Sequence, residues 1–304
     1  MRWQNWLLIA ALADWLIGRT LSRAAIFMPK TGVMVGVAQA LTFVGQVAFN
    51  LASILTLAAI AALAIRGFSR TERNLPRSVA LVGLIGLSIV GMIVPPSPAA
   101  LLLFHVFTLA ALITISVRAG SRLAVVVPAL AIASMALFKI DQAVASLSGR
   151  PAQSAIALAA FQVGELFVVL SPVAVWWLHG RGGRAREWTV AAIPAMLFAI
   201  GYVANPSLTA TMAMWSVGLS LYLPWPVYAV SLWAATLTII RAIHAGQLAG
   251  YGLAFLLCAG YTAQLSSQVM LGLLGVWMLG AKRVSKFPAQ SIPSQRSESS
   301  PVVA

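Results

Sequence analysis

Glu165 stands in the middle of a long apolar run, with Gln162 three residues before it and Pro172 two turns after it. An ionisable side chain at the centre of a membrane helix costs about 2.5–3.5 kcal/mol on insertion scales, so its presence needs a reason. One reason is a carboxylate that accepts a proton or a cation along a translocation path. The other is a neutral Glu that joins two helices by a hydrogen bond. Gln162 shares the Glu165 face at i, i+3. Lys139 and Asp141 precede them, near the end of the preceding apolar run. At i, i+2 these two do not face each other on a helix. Consecutive helices are often neighbours, so Lys139, Asp141 and Glu165 form a candidate intramembrane cluster. Snorkelling of Lys139 to the surface is the competing reading.

His105 lies about one third of the way along another apolar run. A single intramembrane His serves as a ligand or proton carrier, or packs with a hydrogen bond. Gln39, Gln46 and Asn50 recur at i, i+7 and i+11, and Tyr261, Gln264 and Gln268 at i, i+3 and i+7. Each set lies on one helical face. Such stripes line a passage for a polar solute or bond to a neighbouring helix, at about 0.6 kcal/mol per interhelical bond. The candidate pathway residues are therefore Glu165, Asp141, Lys139, Gln162, His105, Gln264 and Gln268. Asp14 reads as a partner of Arg19 or a helix cap.

Metal and enzyme chemistry find little support. The chain has six acidic residues, three histidines and one cysteine. There is no H-E-x-x-H, no G-x-S-x-G and no D-x-x-x-D pair. No catalytic residue, metal site or cofactor is assigned.

The elements that must position these residues follow from composition. Of 304 residues, 61% are hydrophobic and 9% charged. Soluble domains carry about 25% charged residues, and the mean hydropathy here is +0.93. Apolar runs of about 17–25 residues are long enough to cross a bilayer. They fall at residues 5–28, 37–65, 78–94, 99–117, 123–147, 154–178 and 188–204. Residues 207–240 divide at Pro224-Trp225-Pro226 into two, and 250–280 reads as one tilted span. The expected fold is an all-α, polytopic membrane helical bundle of nine or ten transmembrane helices with short loops. It fills residues 1–285, and a Ser-, Pro- and Gln-rich tail, 286–304, reads as disordered and cytoplasmic.

The formal net charge of +14 arises from basic residues in the gaps between apolar runs. Alternation puts the loops holding Arg66–Arg77, Arg118–Arg122, Arg181–Arg186 and Lys282–Lys286 on one side, the pattern of cytoplasmic loops. That distribution argues against nucleic acid and for anionic lipid. Arg19, Arg23 and Lys30 break the rule in a ten-span arrangement, and laying the first segment in the interface repairs it. Trp3, Trp6, Trp176, Trp177, Trp188 and Trp277 fall near span ends, where interfacial aromatics collect.

Size and helix count are similar to the drug/metabolite carrier class, which is built from two five-helix repeats. The resemblance is one of architecture alone, and no residue carries over. The leading expectation is a multi-pass cell-membrane carrier of a small solute, coupled to protons through Glu165. The alternatives are a non-catalytic subunit or scaffold with a membrane-protein partner, and an intramembrane enzyme acting on lipids or isoprenoids.

Overall fold

The computed structural model describes residues 31–68, 73–119, 123–150, 154–179, 184–204, 225–244, 248–261 and 265–280, with Leu21 and Ala25. Among the described residues there are nine α-helices and no strand: α1 Val33–Phe68, α2 Leu75–Ile93, α3 Pro98–Ala119, α4 Leu123–Ser148, α5 Ala155–His179, α6 Ala185–Ala204, α7 Trp225–His244, α8 Leu248–Tyr261 and α9 Leu265–Gly280. Four of them, α1, α3, α4 and α6, are long and apolar enough to cross a membrane, and α5 makes a fifth if its bent halves count as one span. In hydrocarbon every backbone polar group must bond within the protein, and a helix does this locally. The hydroxyl groups follow suit: Thr56, Ser88, Thr108, Ser171 and Thr238 each donate to the carbonyl four residues earlier. These hydroxyls are thereby satisfied within their own helices.

Successive helices α1 to α6 match the runs read from the sequence. Apart from Leu21 and Ala25, the expected segments within 1–30, 207–223 and 286–304 lie outside the described residues. The α1–α2 corner is closed by side chains. Asn74 caps α2 by accepting the Arg77 N–H at 3.4 Å. Ser78 Oγ donates to the Ala64 carbonyl at 2.6 Å, and Arg77 Nη2 donates to the Leu63 carbonyl at 3.4 Å. Both carbonyls lie near the end of α1, where cations and donors are favoured. Arg66, Arg73, Arg77, Arg184, Arg186 and Arg241 gather at one end of the bundle. Arg150 lies at the other. The first of these is called the basic end below.

Helices α6 and α7 are antiparallel. Arg241, near the end of α7, donates through Nε to Glu187 Oε2 near the start of α6 at 3.3 Å. Phe198 and Tyr228 meet at the far end, with centroids 6.5 Å apart. Ala204 and Trp225 therefore lie at the same end, opposite the basic one. Around Arg241, Trp176, Trp188 and Trp233 form a ring cluster with centroids 5.0–6.2 Å apart, the composition of an interfacial belt.

One departure from the sequence reading bears on function. Residues 250–280 are not one tilted span. They form two helices, α8 and α9, that fold back on each other as a hairpin. A Cβ built on Gly252 would lie 2.9 Å from the Gly275 carbonyl oxygen, and one on Gly275 would lie 2.8 Å from the Gly252 carbonyl oxygen. Glycine at both positions lets the two backbones approach this closely. With 14 and 16 residues, the arms are about 21 and 24 Å long, short of the roughly 30 Å of a hydrocarbon core. Helix α9 also packs on α1, α3 and α4. Its residues Val269, Met270, Leu271, Leu273, Leu274, Val276, Met278 and Leu279 are all buried. From Val269 onward this helix is apolar on every face, as suits a core.

Helix α5 bends by 41° between Ala155–Gly164 and Val169–Trp177, in keeping with the break that Pro172 suggests in the sequence. Pro172 supplies the cause. It has no N–H for the Val168 carbonyl, and its ring crowds that carbonyl. Ser231 of α7 donates to the neighbouring Val169 carbonyl at 2.8 Å, which ties the second half of α5 to α7.

Candidate functional site

A cleft of about 360 Å³ lies between α3, α4 and α9, lined by Pro98, Leu101, His105, Lys139, Gln142, Ala143, Ser146 and Gln268. Its shape follows from helical periodicity. On α3 the lining residues recur at i, i+3 and i+7, and on α4 Lys139, Gln142 and Ser146 do the same, so each helix presents one face. Pro98 begins α3, and exposed Ser146 lies near the end of α4. Both belong to the end opposite the basic loops. By helical rise, His105 stands about 10 Å in from the start of α3, and Lys139 about 14 Å in from the end of α4. The hairpin brings Gln268 to the same level.

Lys139 Nζ donates to Gln142 Oε1 at 3.0 Å and lies 5.4 Å from the Phe138 ring centre. Among the described residues no carboxylate pairs with it. Asp141 faces elsewhere: its Oδ2 accepts the Ser154 backbone N–H at 3.4 Å, just before α5. The i, i+2 spacing dictates this division. His105 is 1% exposed, and neither ring nitrogen has a hydrogen-bond partner. A neutral imidazole carries one donor and one acceptor. Leaving such a group buried and unpaired costs about 1–3 kcal/mol.

The structure thus brings three candidates, His105, Lys139 and Gln268, to one cleft. It adds Gln142 and Ser146, whose i+3 and i+7 spacing from Lys139 is the signal that would have found them. Asp141 is set apart. Gln162 is exposed on α5, away from the cleft lining. The Glu165 backbone lies in the bend of α5. Gly164, beside it, packs on α4 against Ser134 and Ala131, with a built Cβ 2.9 Å from Ser134 Cβ. That level is about 7–8 Å further from the cleft mouth than Lys139, by helical rise along α4. The Glu165 side chain lies outside the described residues, and so does Gln264. Of the first polar stripe, Gln39, Gln46 and Asn50 are all exposed, and Gln46 donates to Asn50 within α1 at 3.2 Å. That stripe does not reach the cleft. No group of three or more His, Cys, Asp or Glu able to hold a metal ion occurs among the described residues.

Among family models, curated proteins and solved structures, none matches this chain.

Proposed function

We propose that the chain is a multi-pass membrane carrier of a small polar solute, and that the α3–α4–α9 cleft is its binding site. The observation that carries this reading is the convergence of His105, Lys139, Gln142 and Gln268 on one recess, about 10–14 Å inside the ends of apolar helices. Polar groups kept at that depth, two of them ring nitrogens without partners, are costly unless something occupies the recess. The volume of about 360 Å³ falls at the low end of small-molecule sites, about 300–1,000 Å³.

The moving parts are the short α8–α9 hairpin and bent α5. Broken and re-entrant helices next to a polar site are the means by which carriers expose that site to one side and then the other. Glu165, in the α5 bend, serves as the proton-accepting group in this reading. The basic end faces the cytoplasm. Gly280, the last described residue, lies at that end. The cleft mouth then faces the opposite side.

Uptake into liposomes reconstituted with the purified chain tests the reading. Wild-type protein is expected to accumulate at least one of a panel of small organic acids, amino acids, polyols and amines. An imposed proton gradient should drive the uptake, and Glu165→Gln should lose that drive. If no solute moves above the level of empty liposomes, the carrier reading fails. The scaffold alternative has one observation behind it. Along α6 Ala191 alone is buried among the described residues, which leaves an apolar face for lipid or a partner.

A further inference from the structure

Resting on the carrier reading, we infer that the solute taken by the cleft is a small anion, a carboxylate or phosphate-bearing molecule, and that the Lys139 ammonium is its counter-ion. The charge arrangement carries the inference. Among the described residues, Lys139 is the only charged one that lines the cleft. Its polar contact is with the neutral Gln142 amide oxygen at 3.0 Å. The nearest acid in sequence, Asp141, is engaged with the Ser154 N–H. A cation at membrane depth calls for an opposite charge, and in this recess the protein supplies none among its described residues.

The other polar groups fit the same ligand. His105 can offer an N–H, and the amides of Gln142 and Gln268 each carry two donors. An oxyanion accepts from all of them, and charge-assisted hydrogen bonds of this kind are stronger than neutral ones. A cationic solute would meet Lys139 with like charge and find no carboxylate among the described lining residues. An uncharged polyol would leave the ammonium uncompensated. The volume holds about a dozen water-sized units at about 30 Å³ each. That suits a solute of a few carbons with one or two acidic groups. Ser146 and Pro98 at the mouth put the cleft in reach of water, so the anion enters as a free solute rather than as a lipid headgroup.

The test uses the full chain in a neutral detergent and measures binding by calorimetry at fixed ionic strength. The probes are succinate, lactate and inorganic phosphate as anions, glycerol as a neutral solute, choline as a cation, and phosphatidylglycerol as a lipid anion. Succinate, lactate or phosphate is expected to bind wild type and Lys139→Arg. Lys139→Gln should weaken that binding about tenfold or more, the loss of one charge-assisted bond. Should Lys139→Gln not fold, the order of the probes on wild type decides alone. Binding of glycerol or choline but of no anion overturns the anion inference and leaves the carrier reading standing. Binding of phosphatidylglycerol alone overturns it in favour of a lipid site. If nothing binds, and the liposomes take up no solute, both readings fall.

Discussion

Lys139 Nζ and Gln142 Oε1 are held 3.0 Å apart, one turn along α4, at the level of the unpartnered His105 ring. The ammonium is thus oriented into the cleft by a neutral group that leaves its charge unsatisfied. Gln142→Leu should keep the charge and lose the orientation. Uptake is expected to fall while Lys139→Gln abolishes it, and initial rates in liposomes would rank the two. Equal activity of Gln142→Leu and wild type would show that the pair has no positioning role.

His105 separates function from packing. Its two buried nitrogens lack partners, so an apolar replacement of similar size removes an unsatisfied group worth about 1–3 kcal/mol. His105→Leu should therefore melt at the same temperature as wild type or higher, and bind or transport poorly. A marked fall in melting temperature would instead make His105 a packing residue.

The α8–α9 crossing is a stability prediction. Gly275→Ala sets a Cβ 2.8 Å from the Gly252 carbonyl oxygen, a backbone atom that cannot step aside. Gly272→Ala meets Ile132 Cδ1 at 2.9 Å, the free end of a side chain. Overpacking costs about 1–3 kcal/mol, and Gly275→Ala should lie at the upper end or beyond, with Gly272→Ala near the lower. Melting curves in detergent would show it, and the reverse order would contradict the hairpin.

Pro172→Ala restores an N–H to the Val168 carbonyl and should straighten α5. Proline costs about 3 kcal/mol in a helix interior, so the variant should be at least as stable as wild type. If the bend is a hinge, uptake falls all the same. Spin-label distances across residues 158 and 174 would lengthen on straightening. Unchanged distances would assign the bend to the packing of α7 through Ser231.

At the basic end, Glu187 serves twice. It accepts the Arg184 backbone N–H at 3.3 Å, as a capping-box Glu does, and the Arg241 guanidinium at 3.3 Å. Removing one partner of a buried pair leaves a charge stranded, at about 3–5 kcal/mol when burial is complete. Glu187 is one-fifth exposed, so Glu187→Gln should cost less, about 1–2 kcal/mol. Loss of the same size in an Arg241→Met background would show that the cap, not the ion pair, matters.

What the sequence revealed depended on the range of each signal. Helices α1 to α6 were legible because apolar runs end at Arg, Pro or Gly, which are local signals. The α8–α9 hairpin was not. The run 250–280 holds no charge or proline, and the contact that defines the fold joins Gly252 to Gly275, 23 positions away. Lys139, His105 and Gln268 could be singled out one by one, because polar groups in apolar runs stand out. Their meeting depends on the hairpin bringing α9 against α3 and α4. Asp141 joins the cluster with Lys139 and Glu165 on the expectation that consecutive helices neighbour each other, although its i, i+2 spacing from Lys139 already argues that the two diverge.

The central claim is that the cleft is open to water at membrane depth, from the face opposite the basic loops. Cys258 is the single cysteine of the chain, so a Cys258→Ser background allows one thiol to be placed at will. Gln268→Cys should react with a membrane-impermeant maleimide added at that face. Leu271→Cys, fully buried one turn further along α9, should not. No reaction at position 268, or reaction only from the basic face, would contradict the account.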